Sequence, residues 1–209
     1  MSIASIQSEQ STRFKNVQNL APFDGELYLF QAFYLQPESD SLFAELQSSL
    51  AWQEEDIFIF GKWVKVPRLM CWYGDADSRY RYSGVTHEPK PWNSVLQSVR
   101  EDLEQYCRCQ FNSVLANFYR NGNDSMGRHA DDEKELGPNP LIASLSLGDE
   151  RVFRLHHKKR NETLDIRLGH GDLLVMAGSL QHHWQHSIPK TRQYKGPRIN
   201  LTFRKIFTV

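Results

Sequence analysis

A chain of 209 residues, 40% hydrophobic and 24% charged, holds enough apolar surface for one buried core. No apolar run approaches the roughly 20 residues that span a bilayer, and the start, MSIASIQSEQSTRFKNVQNL, lacks the charged-then-apolar pattern of a secretory leader. The formal net charge of zero argues against a general polyanion binder. Yet residues 1–150 carry 13 basic and 22 acidic side chains, whereas residues 151–209 carry 12 and 3. That asymmetry predicts either a basic face for an anionic partner or opposite charges interleaved on the surface.

The first 20 residues are polar and rich in Ser and Gln, the composition of a mobile segment. GELYLFQAFY (25–34) has the aromatic content of a strand. PESDSLFAELQSSLAW reads as a helix that Ser39 or Asp40 caps, with Leu42, Phe43, Leu46 and Leu50 in one apolar stripe. DIFIFGKWVKVPRLMCWYGD reads as two strands bent at Gly61. KPWNSVLQSVREDLEQYC is a second helix, with Trp92, Leu96, Val99, Leu103 and Tyr106 on one side. Beyond Phe111 the strands FNSVLANFY, LIASLSLG, RVFRLHH, TLDIRLGHGDLLVMAG and RINLTFRKIF follow one another, and RNGNDSMGRHADDEKELGPNP reads as a loop. This order predicts an α+β protein with an antiparallel double-sheet jelly roll. Cys71, Cys107 and Cys109 are odd in number and lack CxxC spacing, so they read as reduced filler.

His129 and Asp131 form an H-x-D pair, which an extended segment points to one face. Both can grip one metal ion, with a third ligand drawn from a His near the last strands. Two imidazoles and one carboxylate leave coordination positions open, as non-haem Fe(II) needs for a co-substrate and dioxygen. Alone, H-x-D is equally a polar loop. In PRINLTFRKI, period 2 sets Arg198, Asn200, Thr202 and Arg204 on one face and Ile199, Leu201 and Phe203 on the other. Arginines on an inward face need anions, and a dicarboxylate ligand would satisfy them bidentately. On an edge strand they would simply sit in water. Asn117 and Tyr119 in ANFYR also share a face and suit carboxylate oxygens.

Together these residues resemble the AlkB family of Fe(II)- and 2-oxoglutarate-dependent dioxygenases that dealkylate DNA and RNA, most of all its branch acting on duplex DNA. The resemblance runs from about Phe58 to Ile206 and rests on FGKW, VPR, YSG, HADDE, and PRINLTFRKI at a fixed interval beyond a His. It implies a double-stranded β-helix core. It implies His129, Asp131 and His186 as catalytic iron ligands, in preference to His170, His182 and His183. Arg198 and Arg204 would hold 2-oxoglutarate, with Asn117, Tyr119 and Asn200 as its hydrogen-bonding partners. Asp132 would stand beside the target base, and Glu133 would pair with a basic neighbour. Tyr80 and Tyr82 would stack on the base, and Ile59, Phe60 and Gly61 would form a finger that probes the duplex. Arg68, Lys158, Lys159, Arg160, Lys190, Arg192 and Lys195 are phosphate-contact candidates.

The implied reaction is oxidative demethylation of N1-methyladenine and N3-methylcytosine in DNA, with succinate, carbon dioxide and formaldehyde as products. An oxygenase acting on RNA, protein or a small molecule would keep the same metal and cofactor residues. A damage-reading module without turnover is a third reading. The expected layout is a mobile segment at 1–20, a nucleotide-recognition region at 21–110 and a jelly-roll core at 111–209. A monomer without membrane contact is expected, cytoplasmic in a bacterium or nuclear in a eukaryote.

Overall fold

The computed structural model describes residues 14, 16–59, 61–78, 80–82, 85–87 and 89–207, with the side chains at 57–59, 80–82 and 85–87 outside the description. The order is β1 (Glu26–Phe30), α1 (Glu38–Ser49), β2 (Gln53–Ile59), β3 (Lys62–Gly74), β4 (Tyr80–Tyr82), β5 (Val85–His87) and α2 (Ser94–Cys107). Then come β6 (Ser113–Tyr119), β7 (Met126–His129), β8 (Ile142–Gly148), β9 (Arg151–His157), β10 (Thr163–Leu168), β11 (Asp172–Ala177), α3 (Leu180–His183), β12 (Trp184–Ile188) and β13 (Arg198–Arg204). One sheet runs β1–β11–β8–β13–β6–β3–β2, and a second runs β10–β9–β12–β7, with β4–β5 apart as a hairpin. The expected jelly roll is formed, and among the described residues no helix is long and apolar enough to cross a membrane.

Alternation along the central strands decides what faces what. Ile199, Leu201 and Phe203 of β13 enter a cluster with Leu145 and Leu147 of β8 and with Leu46, Leu96, Val99 and Leu103 of the helices. The two helices therefore cover the outer face of the larger sheet. The opposite face turns Arg198, Asn200 and Thr202 inward, and all three are buried. Between the sheets a second cluster joins Ile142, Leu174 and Met176 to Phe153, Leu155 and Ile166. Arg198 stands opposite Tyr119 of β6 and Gly148 of β8. A Cβ on Gly148 would lie 2.4 Å from the Pro197 oxygen, so only glycine lets the start of β13 approach this closely.

Several expectations need correction. Helix α1 begins at Glu38 after Pro37, without a side-chain cap. Ser39 lies inside it, and Asp40 instead meets His170 at 3.0 Å. Helix α2 is capped by Asn93, whose Oδ1 accepts from the Leu96 N–H at 2.9 Å. Strands β7 and β12 fall where a loop and no element were expected, because MGRH and WQHSI are short and mostly polar. Strands β1, β2 and β3, from before residue 110, belong to the same sheet as β6, β8, β11 and β13. Charges from the two halves interleave, as in Lys158–Asp132, Arg160–Asp24 and Lys195–Asp149.

Leu201→Ala would open a cavity where β13 meets the helices. It should cost about 2–5 kcal/mol, read from the shift in a urea denaturation midpoint.

Candidate active site

Strands β7 and β12 pair with His129 opposite His186, and the two rings lie 4.2 Å apart. Asp131 follows two residues after His129, and one ligand atom from each of the three lies within 4.8 Å of the others. The Nδ1 of His129 is 3.0 Å from the Gly127 carbonyl oxygen. A carbonyl only accepts, so the proton sits on Nδ1 and Nε2 offers its lone pair, 3.7 Å from the Asp131 Oδ1. His186 is buried against Phe153. Burial, then the His129 ring, push it down to about 3 against the pull of Asp131, so it is neutral near pH 7. Burial would raise Asp131, but the Arg204 guanidinium outweighs it and holds the carboxyl below its ordinary range. Two neutral imidazoles and an anionic carboxylate are the ligand form of each group, and this donor set fits Fe(II).

Asp131 is also fixed from behind. Its N–H donates to the Gln181 Oε1 at 3.0 Å. Lys158 Nζ donates to the Gln181 carbonyl at 2.9 Å and to the Asp132 Oδ2 at 3.0 Å. Arg204 Nη2 reaches the two Asp131 oxygens at 3.0 and 2.9 Å, joining the last strand of the large sheet to the ligand set.

Strands β6 and β13 carry a cluster of unanswered donors. Arg198 is 1% exposed, and its Nη2 donates to the Ser146 hydroxyl at 2.9 Å. Its Nε and Nη1, the Tyr119 hydroxyl and the Asn117 Nδ2 are buried without hydrogen-bond partners. Burial lowers Arg198 to about 10, with Tyr119 opposing and Arg151 adding to the fall, so it stays protonated at neutral pH. A buried cation lacking an anion is costly, and these donors converge from two paired strands. They fit a carboxylate. Asn200 belongs to the same row, but its amide is committed: Nδ2 donates to Ser144 Oγ and the Leu145 carbonyl, and Oδ1 accepts from Thr202.

The ligand set opens into a groove of about 410 Å³ whose walls include Met70, Trp72, Leu115, Met126, Arg128 and Glu133. Among the described residues Glu133 makes no salt bridge, and its Oε2 is buried and without a partner. Period-two spacing from Asp131 was the available signal for this residue. Asp132 is half exposed and tied to Lys158. Arg68, a phosphate-contact candidate, lines this groove. It is buried, and its Nε donates to Asn117 Oδ1 at 2.7 Å. In the segment expected to form the finger, Ile59 pairs with Lys62 and Gly61 is at φ +77. Phe60 and the side chains of Ile59, Tyr80 and Tyr82 lie outside the described residues. Lys159, Lys190 and Arg192 are exposed.

The remaining histidines stand elsewhere. His170 bonds Asp40, and His182 bonds the Pro138 carbonyl. His183 groups with Asp24 and His157, but the His157 Nδ1 accepts the Lys159 and Arg160 N–H groups at 3.2 and 2.9 Å. Its proton is then on Nε2, which donates to Asp24 at 3.2 Å and has no lone pair for a metal.

A jelly roll bearing a two-His, one-carboxylate set beside an anion pocket defines a metal-dependent oxygenase. Residues 26–204 match the model of the 2OG-Fe(II) oxygenase superfamily, and the chain belongs to that family, whose members use Fe(II) and 2-oxoglutarate. It is 39% identical over 188 residues to the DNA oxidative demethylase ALKBH2 of Mus musculus, covering 85% of this chain and 79% of that one. It is 38% identical over 189 residues to the human alpha-ketoglutarate-dependent dioxygenase alkB homolog 3, covering 86% and 65%. The solved structure of OsALKBH1 superimposes with a TM-score of 0.60 at 19% identity, over 88% of this chain and 98% of that one, a likeness of fold.

Arg198→Met should leave the ligand-free protein as stable as before or stabilise it by about 1–4 kcal/mol, because it removes a buried cation that lacks an anion. Thermal unfolding without any dicarboxylate measures this.

Proposed function

We propose that this protein repairs DNA by oxidative demethylation of N-alkylated bases such as N1-methyladenine and N3-methylcytosine. The observation that carries the reading is the metal-ligand set adjoining a pocket of uncompensated donors, both in a chain closely similar to a DNA oxidative demethylase. His129, Asp131 and His186 would hold ferrous iron. Arg204, already against Asp131, would take the 2-oxoglutarate carboxylate nearer the metal. Arg198, the Tyr119 hydroxyl and the Asn117 amide would take the far one, with Asn200 and Thr202 bracing the row. When bound, iron and 2-oxoglutarate supply from dioxygen the oxidising power that hydroxylates the N-methyl carbon, which then leaves as formaldehyde.

The chain's own residues bind, orient and discriminate. The two lesions are cationic and pair badly, which lowers the cost of extruding them. Glu133 offers the groove a carboxylate for a cationic base and its exocyclic amino group, and Asp132 adds negative charge nearby. Tyr80 and Tyr82 would stack on the base, and the Ile59–Gly61 turn would probe the duplex. Lys159, Lys190 and Arg192 would meet phosphates.

The test is release of formaldehyde and succinate from a methylated duplex with iron, 2-oxoglutarate and oxygen. A chelator should abolish both products. Succinate without formaldehyde from any methylated oligonucleotide would redirect the activity to another substrate. His129→Ala should lower turnover by about 100-fold or more while DNA affinity, measured by fluorescence anisotropy, stays intact. Glu133→Gln should reduce kcat/KM for a cationic lesion about tenfold, measured against an uncharged alkylated base that loses less.

A further inference from the structure

We infer that Arg68 is a positioning residue, which orients the Asn117 side chain so that its amide N–H is the group presented to 2-oxoglutarate. The inference rests on the reading of the donor pocket as the cofactor site. An asparagine amide is ambivalent: one end donates and the other accepts. Beside an anion, only the donating end helps. The residues paired with Asn117 do not choose between the two ends: it stands across from Met70 and Asn200, and the Asn200 amide is engaged elsewhere.

Arg68 makes the choice. It lies on β3, is 6% exposed, and donates from Nε to Asn117 Oδ1 at 2.7 Å. A guanidinium has donors only, so a reversed amide would set N–H against N–H. The guanidinium is itself held, with Nη1 donating to the Ser125 carbonyl at 3.2 Å. The Ser125 N–H in turn donates to the Pro67 carbonyl at 2.9 Å, closing a loop around the arginine. The consequence is visible at the other end of the amide: Nδ2 is buried and has no partner, two register positions from the Tyr119–Arg198 pair.

The experiment is calorimetry of 2-oxoglutarate binding to the manganese(II)-loaded full chain, as wild type, Arg68→Gln, Asn117→Ala and the double variant. Each single change should weaken 2-oxoglutarate about tenfold, the size of one hydrogen bond to a charged group. The double variant should be no weaker than the weaker single one, and manganese affinity should be unchanged throughout. The same cycle with Arg68→Lys, which can reach Asn117 or Ser125 but not both, should show a loss of about threefold, again absent in the Asn117→Ala background. That cycle carries the test if Arg68→Gln does not fold. Additive losses, or an arginine variant that binds as wild type does, would overturn the inference. A wild type that binds no 2-oxoglutarate would overturn the reading of the pocket instead.

Discussion

Among the described residues, the arginines near the site outnumber the carboxylates that hydrogen-bond them. Arg204 has Asp131. Arg151 is buried on the carbonyl oxygens of Asn121, Asp124 and Pro189, and Arg68 on those of Asn117 and Ser125. Arg198 has one hydroxyl and the face of the Tyr119 ring, 5.1 Å from its centroid. Holding this charge out of water opposes folding, and the free energy that offsets it comes from the other side of the same strands. There Ile199, Leu201 and Phe203 are completely buried beneath the two helices. The helices thus act on the site without touching it, by making a strand with a polar inner face stable enough to keep.

The two sheets divide the chemistry. The four-stranded sheet brings His129 and His186 into register, and the seven-stranded sheet brings the donors of β6 and β13 together. Asp131 and Arg204 form the seam. One carboxylate serves the ligand set and the anion pocket at once, so its charge and position are felt in both. The clasp of Gln181 and Lys158 holds that carboxylate's backbone and its neighbour Asp132.

The jelly roll was legible because period-two alternation survives wherever one face of a strand is apolar, as in RINLTFR and LIASLSLG. The inward arginines were legible for the same reason: they fall on the polar face of the alternation that β13 keeps throughout. The strands that carry the histidines were not. Four residues of MGRH and five of WQHSI give no period to detect, and the polar groups that would mark a surface loop instead line the site. Arg68 misled for a related reason. Sequence gives its charge but not its direction, and a residue beside proline in a basic stretch reads as exposed. HADDE held two candidate carboxylates, and only burial separates Asp132 from Glu133.

The β2–β3 hairpin runs past the body of the molecule. Strand β3 pairs with β6 only from Leu69 onward, and residues 62–65 are exposed on both faces. Beyond that point the ribbon has two strands and no sheet behind it, an arrangement that adds little stability of its own. Its length, charge and tip can change with almost no effect on whether the sandwich folds. The extent of this ribbon is in this way uncoupled from the packing that sets His129, Asp131 and His186 together.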